Sequence, residues 1–395
     1  MKPKSIGGTV IVFGFVSFLT DISSDMVYPL LPLFLTTQIG ASVAFVGLVE
    51  GFAESTAAFF MLGAGIWADR IKDRTKLVFG GYGLSAAAKP LLALARSSWA
   101  VLFVRFLDRV GKGIRGSPRD ALIADAVDPS IRGKAYGFHR SMDNAGAVLG
   151  PILAAVLLAT FVSDLRMLFW IAAIPGFFAV ALIAWKVREV PDAERTYRTG
   201  EPFRFKAPRG KLRIFLAILS IFILSCSSDA FLILRANELG VPAKLLPILW
   251  MMFNLVKALL AFPLGALSDR IGRRRVILTG WVIYAVVYFC FAFATETWQA
   301  WALFAAYGLF YAFTEGSERA FLADTADPAE RGQAFGWYYF IVGMGSLPAS
   351  LLFGILWQAG GSRLAFTVSG VISSLAIMAL GFFLLWKPPS QPLFR

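Results

Sequence analysis

Long apolar runs separated by short polar connectors dominate this chain. With about 20 apolar residues needed to cross a bilayer as a helix, the pattern predicts twelve spans. In the first half they cover residues 8–35, 44–68, 77–95, 99–122, 134–160 and 165–187. In the second half they cover 212–234, 244–268, 276–294, 298–323, 333–357 and 364–386. The first run has no small-residue cleavage signature and is too long for a signal peptide, so it reads as a retained span.

The polar punctuation repeats too. Gly65-Ile-Trp-Ala-Asp69-Arg70 returns as Gly265-Ala-Leu-Ser-Asp269-Arg270. Ala124-Asp125-Ala-Val-Asp128-Pro129 returns, at nearly the same offset, as Ala323-Asp324-Thr-Ala-Asp327-Pro328. Two pairs at one offset imply two structurally equivalent halves. The expected fold is therefore an all-α membrane protein of two pseudo-twofold six-helix bundles, at residues 1–187 and 212–395. Residues 188–211, with Pro191, Pro202 and Pro208 among scattered Arg and Glu, read as a solvated cytoplasmic linker. Parallel repeats of this kind build alternating access around a site between the halves.

Composition agrees. The chain is 57% hydrophobic and 16% charged, far less charged than a soluble domain at roughly a quarter. The net charge of +13 gathers in short connectors rather than on a nucleic-acid-binding face. Arg70, Lys72, Arg74, Lys76, Arg132, Lys134, Arg270, Arg273, Arg274, Arg275 and Arg331 fall in one set of connectors, whereas residues 36–43 carry no charge. The basic set faces the cytoplasm by the positive-inside rule, which puts both termini in the cytoplasm. Cys226 and Cys290 lie in apolar runs and read as packing residues.

These residues resemble the major facilitator superfamily. Its Gly-x-x-x-Asp-Arg-x-Gly-Arg-Arg loop signature matches Gly265 to Arg274, while the first copy departs from it with Lys72 and Asp73. Arg109-Val-Gly-Lys112-Gly113 is similar to the Arg-x-x-Gln-Gly pattern of proton-linked antiporters, with Lys in place of Gln. Gly146-Ala-Val-Leu-Gly150-Pro151 resembles the family's Gly-x-x-x-Gly-Pro motif. Small residues four apart admit close helix contact and the proline weakens the helix ladder, so Gly146, Gly150 and Pro151 are candidate packing and hinge positions. The resemblance implies a transporter in the cytoplasmic membrane that exports a small solute in exchange for protons.

Ionisable residues at bilayer depth are functional candidates by default. Arg105, Asp108, Lys112, Arg115 and Arg119 fall on one face of the fourth span, with Arg109 beside them. Candidate partners are Asp21 and Asp25 in the first span, Glu50 and Glu54 in the second, and Asp143 beside His139 and Arg140 in the fifth. Ser23-Ser24-Asp25 aligns with Ser227-Ser228-Asp229, placing a carboxylate at equivalent positions of both halves. Arg109, Lys112, Arg115, Asp25, Asp229 and Lys257 are the expected substrate-binding set, and Asp25, Glu54 and Asp143 the expected proton carriers. A bland alternative is that these charges only pair internally and hold helices together. The opposite signs of Arg119-Asp120 and the aligned Glu318-Arg319 suggest a cross-half cytoplasmic gate. Asp69, Arg70, Asp269 and Arg270 belong to the same gate, their Asp residues at helix ends.

The cationic face argues for a solute with an anionic group. Alternatives are a cation or metal exporter using Asp21, Asp25 and Asp229, and a lysolipid flippase. Enzyme motifs such as HExxH, GxSxG and the phosphate-binding GxxxxGK[ST] are missing from the sequence. No cofactor and no resident metal are expected. The expected partners are membrane lipids, a small-molecule substrate and protons, with no nucleic acid, and a monomer suffices because each chain holds both halves.

Overall fold

A computed structural model of the chain describes residues 7–68, 74–127, 132–162, 164–187, 208–325 and 331–385. All regular structure among these residues is helical. Nine described segments are long and apolar enough to cross a membrane by hydropathy. One of them, Ala334–Phe383, holds two helices. The fourth and tenth helices, Ser98–Asp125 and Thr297–Thr325, complete the twelve spans.

The first span differs from a plain helix. Gly8–Val27 is α-helical, and Tyr28–Leu30 then tightens to a 3-10 turn carrying Pro29. Leu31–Leu33 carries Pro32, and Phe34–Gln38 widens to a π-helix. Each proline removes an N–H from the ladder, and the helix adjusts its winding around the gap. The seventh span breaks outright, into Gly210–Ser225 and Asp229–Glu238. Ser228 caps the second piece by accepting from the Ala230 N–H at 3.2 Å. Both irregular segments thus sit beside the aligned carboxylates Asp25 and Asp229.

The remaining spans are Val43–Ala68, Arg74–Leu94, Arg132–Thr160, Leu165–Lys186, Leu246–Ile271 and Arg273–Phe293. The last two spans run through Arg331–Leu385, broken at Gly360 and Gly361. Gly361 has φ of 77° and Gly272, which alone joins the eighth and ninth helices, has φ of 95°. Both positions need the left-handed backbone that glycine adopts without steric cost. Side-chain caps start the other sharp turns: Ser97 accepts from Ala100 N–H and Asp164 from Arg166 N–H.

Within the first half, the first span packs on the fifth and sixth, and the third and second on the fourth. In the second half, the eighth and ninth pack on the tenth. Two seams join the halves, the second span against the eleventh and the fifth against the eighth. The second–eleventh seam is close. Ser55 donates to the Gly343 carbonyl at 2.7 Å, and a Cβ on Gly343 would lie 2.1 Å from that of Ala58. Gly146 and Gly150 do the same work inside the first half, where a Cβ would meet the carbonyls of Phe18 and Ile22 at 2.5 and 2.7 Å. That is the close approach their spacing predicts. Predicted linker residues 188–207 lie outside the described residues.

Candidate functional site, a charged cavity between the halves

A cavity of about 240 Å³ lies between the halves at the level of Asp25 and Asp229. It adjoins a second compartment of about 380 Å³ that reaches Arg119 and Arg140. The two share Asp21, Asp25, Lys112 and Arg115 in their walls. At the opposite end the halves touch. The Tyr28 and Trp250 rings lie 4.9 Å apart, and the Trp250 indole N–H donates across the halves to Asp25 at 2.9 Å.

The helical spacing on the fourth span puts its charges into this space and against its neighbours. Arg105 forks both Glu50 oxygens at 2.9 Å, with Glu50 only 2% exposed. Arg109 pairs with Glu54 at 3.0 Å, and Lys89 with Asp108 at 3.5 Å. Asp108 also accepts from Arg105 at 3.4 Å. Such pairing lets buried charges stay ionised. Three cations remain without a carboxylate in ion-pair range among the described residues. Lys112 lines both compartments. Arg115 stacks 4.2 Å over the Tyr82 ring and keeps one terminal nitrogen buried without a partner. Lys257, from the eighth span, lies 5.6 Å from the centroids of Phe253 and of Tyr311.

Three carboxylates likewise face the space without a paired cation among the described residues. Asp21 and Asp25 stand one turn apart on the first span, and Asp229 accepts from the Tyr307 hydroxyl at 2.7 Å. The walls differ in chemistry. Charged side chains dominate the first-half wall, while the second half gives Trp250 to this cavity and Tyr307 and Tyr311 to an adjoining space of about 410 Å³ that shares Asp229.

The remaining predicted residues spread along the outer compartment. Asp143 sits 3.6 Å from His139 Nδ1, whose Nε2 meets the Ser17 hydroxyl at 2.8 Å. Arg119 turns to its own neighbour Asp120 at 2.9 Å. Glu318 is buried and accepts from Trp281 and Tyr338, both at 2.9 Å, while Arg319 pairs with Glu315 at 3.0 Å. No pair joins Arg119-Asp120 to Glu318-Arg319 among the described contacts. The cross-half ion pair at this end is Arg140 to Glu315 at 3.2 Å, a pair the sequence reading did not single out. Asp69 and Arg70 lie outside the described residues, as does the Asp269 side chain, and Arg270 is exposed. Pro151 continues the fifth helix without interrupting it.

Sequence reasoning did not single out Tyr307 and Tyr311, or the role of Trp250 as a donor to Asp25. A signal for them existed: Trp250 aligns with Glu50, and Tyr307 and Tyr311 align with Asp108 and Lys112, once the two halves are overlaid by their Asp-Arg and Arg-Asp/Glu-Arg landmarks.

Comparison with known proteins decides the family. The Major Facilitator Superfamily model matches residues 13–235 and again 213–394. The chain belongs to the major facilitator superfamily. It is 35% identical to the "Uncharacterized MFS-type transporter MJ1317" of Methanocaldococcus jannaschii, over 96% of each chain. It is 25% identical to the multidrug resistance protein MdtH of Salmonella arizonae, over 90% of this chain and 89% of that one. The nucleoside transporter NupG superposes with a TM-score of 0.80 at 14% identity, over 96% of this chain and all of that one. A bacterial homolog of the lysosomal transporter Spinster, in an inward-facing and unoccupied conformation, gives 0.75 at 16% identity, over 96% of this chain and 98% of that one. As a member of this family the chain is a multi-pass membrane transporter and not an enzyme.

Proposed function

We propose that this transporter moves a small organic solute bearing an anionic group, by alternating access and with proton coupling. The observation that carries the reading is the set of three cations left over after internal pairing: Lys112, Arg115 and Lys257. They come from both halves, so an anion held among them touches both sides of the seam that must rearrange. Arg109 joins this set when Glu54 releases it. The aromatic side chains of Trp250, Tyr307 and Tyr311 on either side of Asp229 suit the apolar body of an organic solute. Asp21 and Asp25 are the carboxylates placed to exchange a proton beside that site, with Glu54 and Asp143 at its margins. The compartments extend toward the face of the basic connectors, which the positive-inside rule assigns to the cytoplasm, and this supports an inward-facing arrangement.

The metal alternative has less support. Asp25 and Asp229 already accept from Trp250 and Tyr307, and no group of three His, Cys, Asp or Glu side chains among the described residues is placed to hold a metal ion.

Thermal unfolding of the detergent-purified protein tests the reading against panels of organic anions, organic cations, divalent metals and lysolipids. A ligand specific to the folded state adds about 2.7 kcal/mol at a hundredfold excess over Kd. An anion should stabilise the wild type and lose that effect in Lys112→Gln and Lys257→Gln. Stabilisation by cations alone, or by anions equally in both variants, would sink it.

A further inference from the structure

The cavity charges balance. Cations are Lys89 from the third span, Arg105, Arg109, Lys112 and Arg115 from the fourth, and Lys257 from the eighth. Carboxylates are Asp21 and Asp25 from the first span, Glu50 and Glu54 from the second, Asp108 from the fourth and Asp229 from the seventh. Toward the outer end, Arg119, Arg140 and Arg319 stand with Asp143, Asp120, Glu315 and Glu318, the last held by the neutral donors Trp281 and Tyr338, and the single histidine, His139, lies beside Asp143. Three cations and three carboxylates are locked in direct pairs, Glu50 to Arg105, Glu54 to Arg109 and Asp108 to Lys89. What faces the open space is Lys112, Arg115 and Lys257 against Asp21, Asp25 and Asp229, with no direct pair among them.

Charge imbalance among side chains set into the protein wall is costly, because charges interact more strongly there than in bulk water. An arriving anion upsets the balance by one negative charge. A proton on one of the two adjacent first-span carboxylates restores it, turning a carboxylate into a neutral acid without any other change in bonding. We propose that the anionic solute and a proton load this cavity together, the proton on Asp21 or Asp25, which makes the protein a proton–anion cotransporter. The inference rests on the anion reading above and fixes the sign of its coupling. Exchange against protons, the mode suggested by the antiporter-like motifs, would instead suit a cation that competes for the same carboxylates. Binding linkage is reciprocal, so a proton also favours the anion. Net direction then follows the sum of the proton and solute gradients.

Removing one cation imitates adding an anion, which allows a test without the natural solute. Infrared difference spectra at neutral pH should show a protonated-carboxyl C=O band in Lys112→Gln that wild type and Lys112→Arg lack. The band should disappear on adding either Asp21→Asn or Asp25→Asn. Lys257→Gln serves the same purpose if Lys112→Gln does not fold. A second arm titrates benzoate into the wild type in weakly buffered solution. Uptake of about one proton per bound benzoate is expected, with affinity rising about tenfold per unit fall in pH, and that slope lost in whichever Asp→Asn variant removes the band. Proton release on benzoate binding, or no new band in either lysine variant, overturns cotransport. A band without any benzoate stabilisation removes the anion site instead, and the coupling inference falls with it.

Discussion

At the residue scale, the cavity is a problem in keeping charge inside a membrane. Each charge on the fourth span is costly alone, and the structure answers with direct pairs. Glu50 and Arg105 are the most enclosed of these, at 2% and 7% exposure. Glu50→Gln leaves the almost buried guanidinium only its longer contact to Asp108, which Lys89 shares, and a stability loss of up to about 3 kcal/mol is expected. Replacing both partners, as Glu50→Leu with Arg105→Met, should cost much less, because an apolar pair leaves nothing unpaired. Chemical unfolding of the double variant and of the singles Glu50→Leu and Arg105→Met measures the coupling. Trp250 is a different kind of partner. Its neutral indole holds Asp25 across the halves, so Trp250→Phe keeps the ring contact with Tyr28 and deletes only the donor. A hydrogen bond to a charged group contributes about 1.5–3 kcal/mol, and a fall of that order in thermal stability is the expected result.

At the element scale, the two irregular spans and the two glycine-rich contacts follow from different rules. Pro29 and Pro32 disturb the first span locally, whereas the seventh breaks where Ser228 offers the chain a new cap. The same Ser-Ser-Asp triplet therefore sits inside a helix in one half and at a helix start in the other. The second–eleventh seam depends on missing side chains. Gly343→Ala should destabilise the protein by about 1–3 kcal/mol, the usual cost of overpacking, because the new Cβ would collide with Ala58. Ala58→Gly in the same chain should recover most of that loss. If thermal unfolding shows Gly343→Ala unchanged, the seam is looser than its geometry implies.

At the scale of the whole molecule, the halves touch near Tyr28 and Trp250 and leave space toward Arg119 and Arg140. A membrane-impermeant thiol reagent distinguishes the two sides. In a background lacking Cys226 and Cys290, Arg140→Cys should react from the cytoplasmic side, and far less from the opposite side. Arg140 also carries the cross-half pair with Glu315, so Glu315→Gln should loosen that end and raise the reactivity of a cysteine placed at Arg119. Equal labelling of Arg140→Cys from both sides would contradict a barrier at the Tyr28–Trp250 contact.

Much of this was legible beforehand, for a physical reason. A bilayer demands long apolar helices with internally satisfied backbones, so span number, helical class and repeat follow from local pattern alone. The small residues of the fifth span announced their close contact in the same way. Even the crowding of charge on the fourth span was a matter of helical period. Pair formation was not, because it depends on which helices face each other. Arg109 belonged to the expected substrate-binding set and is bound to Glu54, while Lys112 and Lys257 stand open from opposite halves. Arg119-Asp120 and Glu318-Arg319 have opposite signs at aligned positions, yet among the described residues Arg140 and Glu315 are the charges that meet there. The sequence by itself determined the spans, the repeat and the supply of charge. Only the packing of one bundle against the other decided which charges cancel and which remain for a ligand, since that balance is set by distances of a few ångströms between residues far apart in the chain.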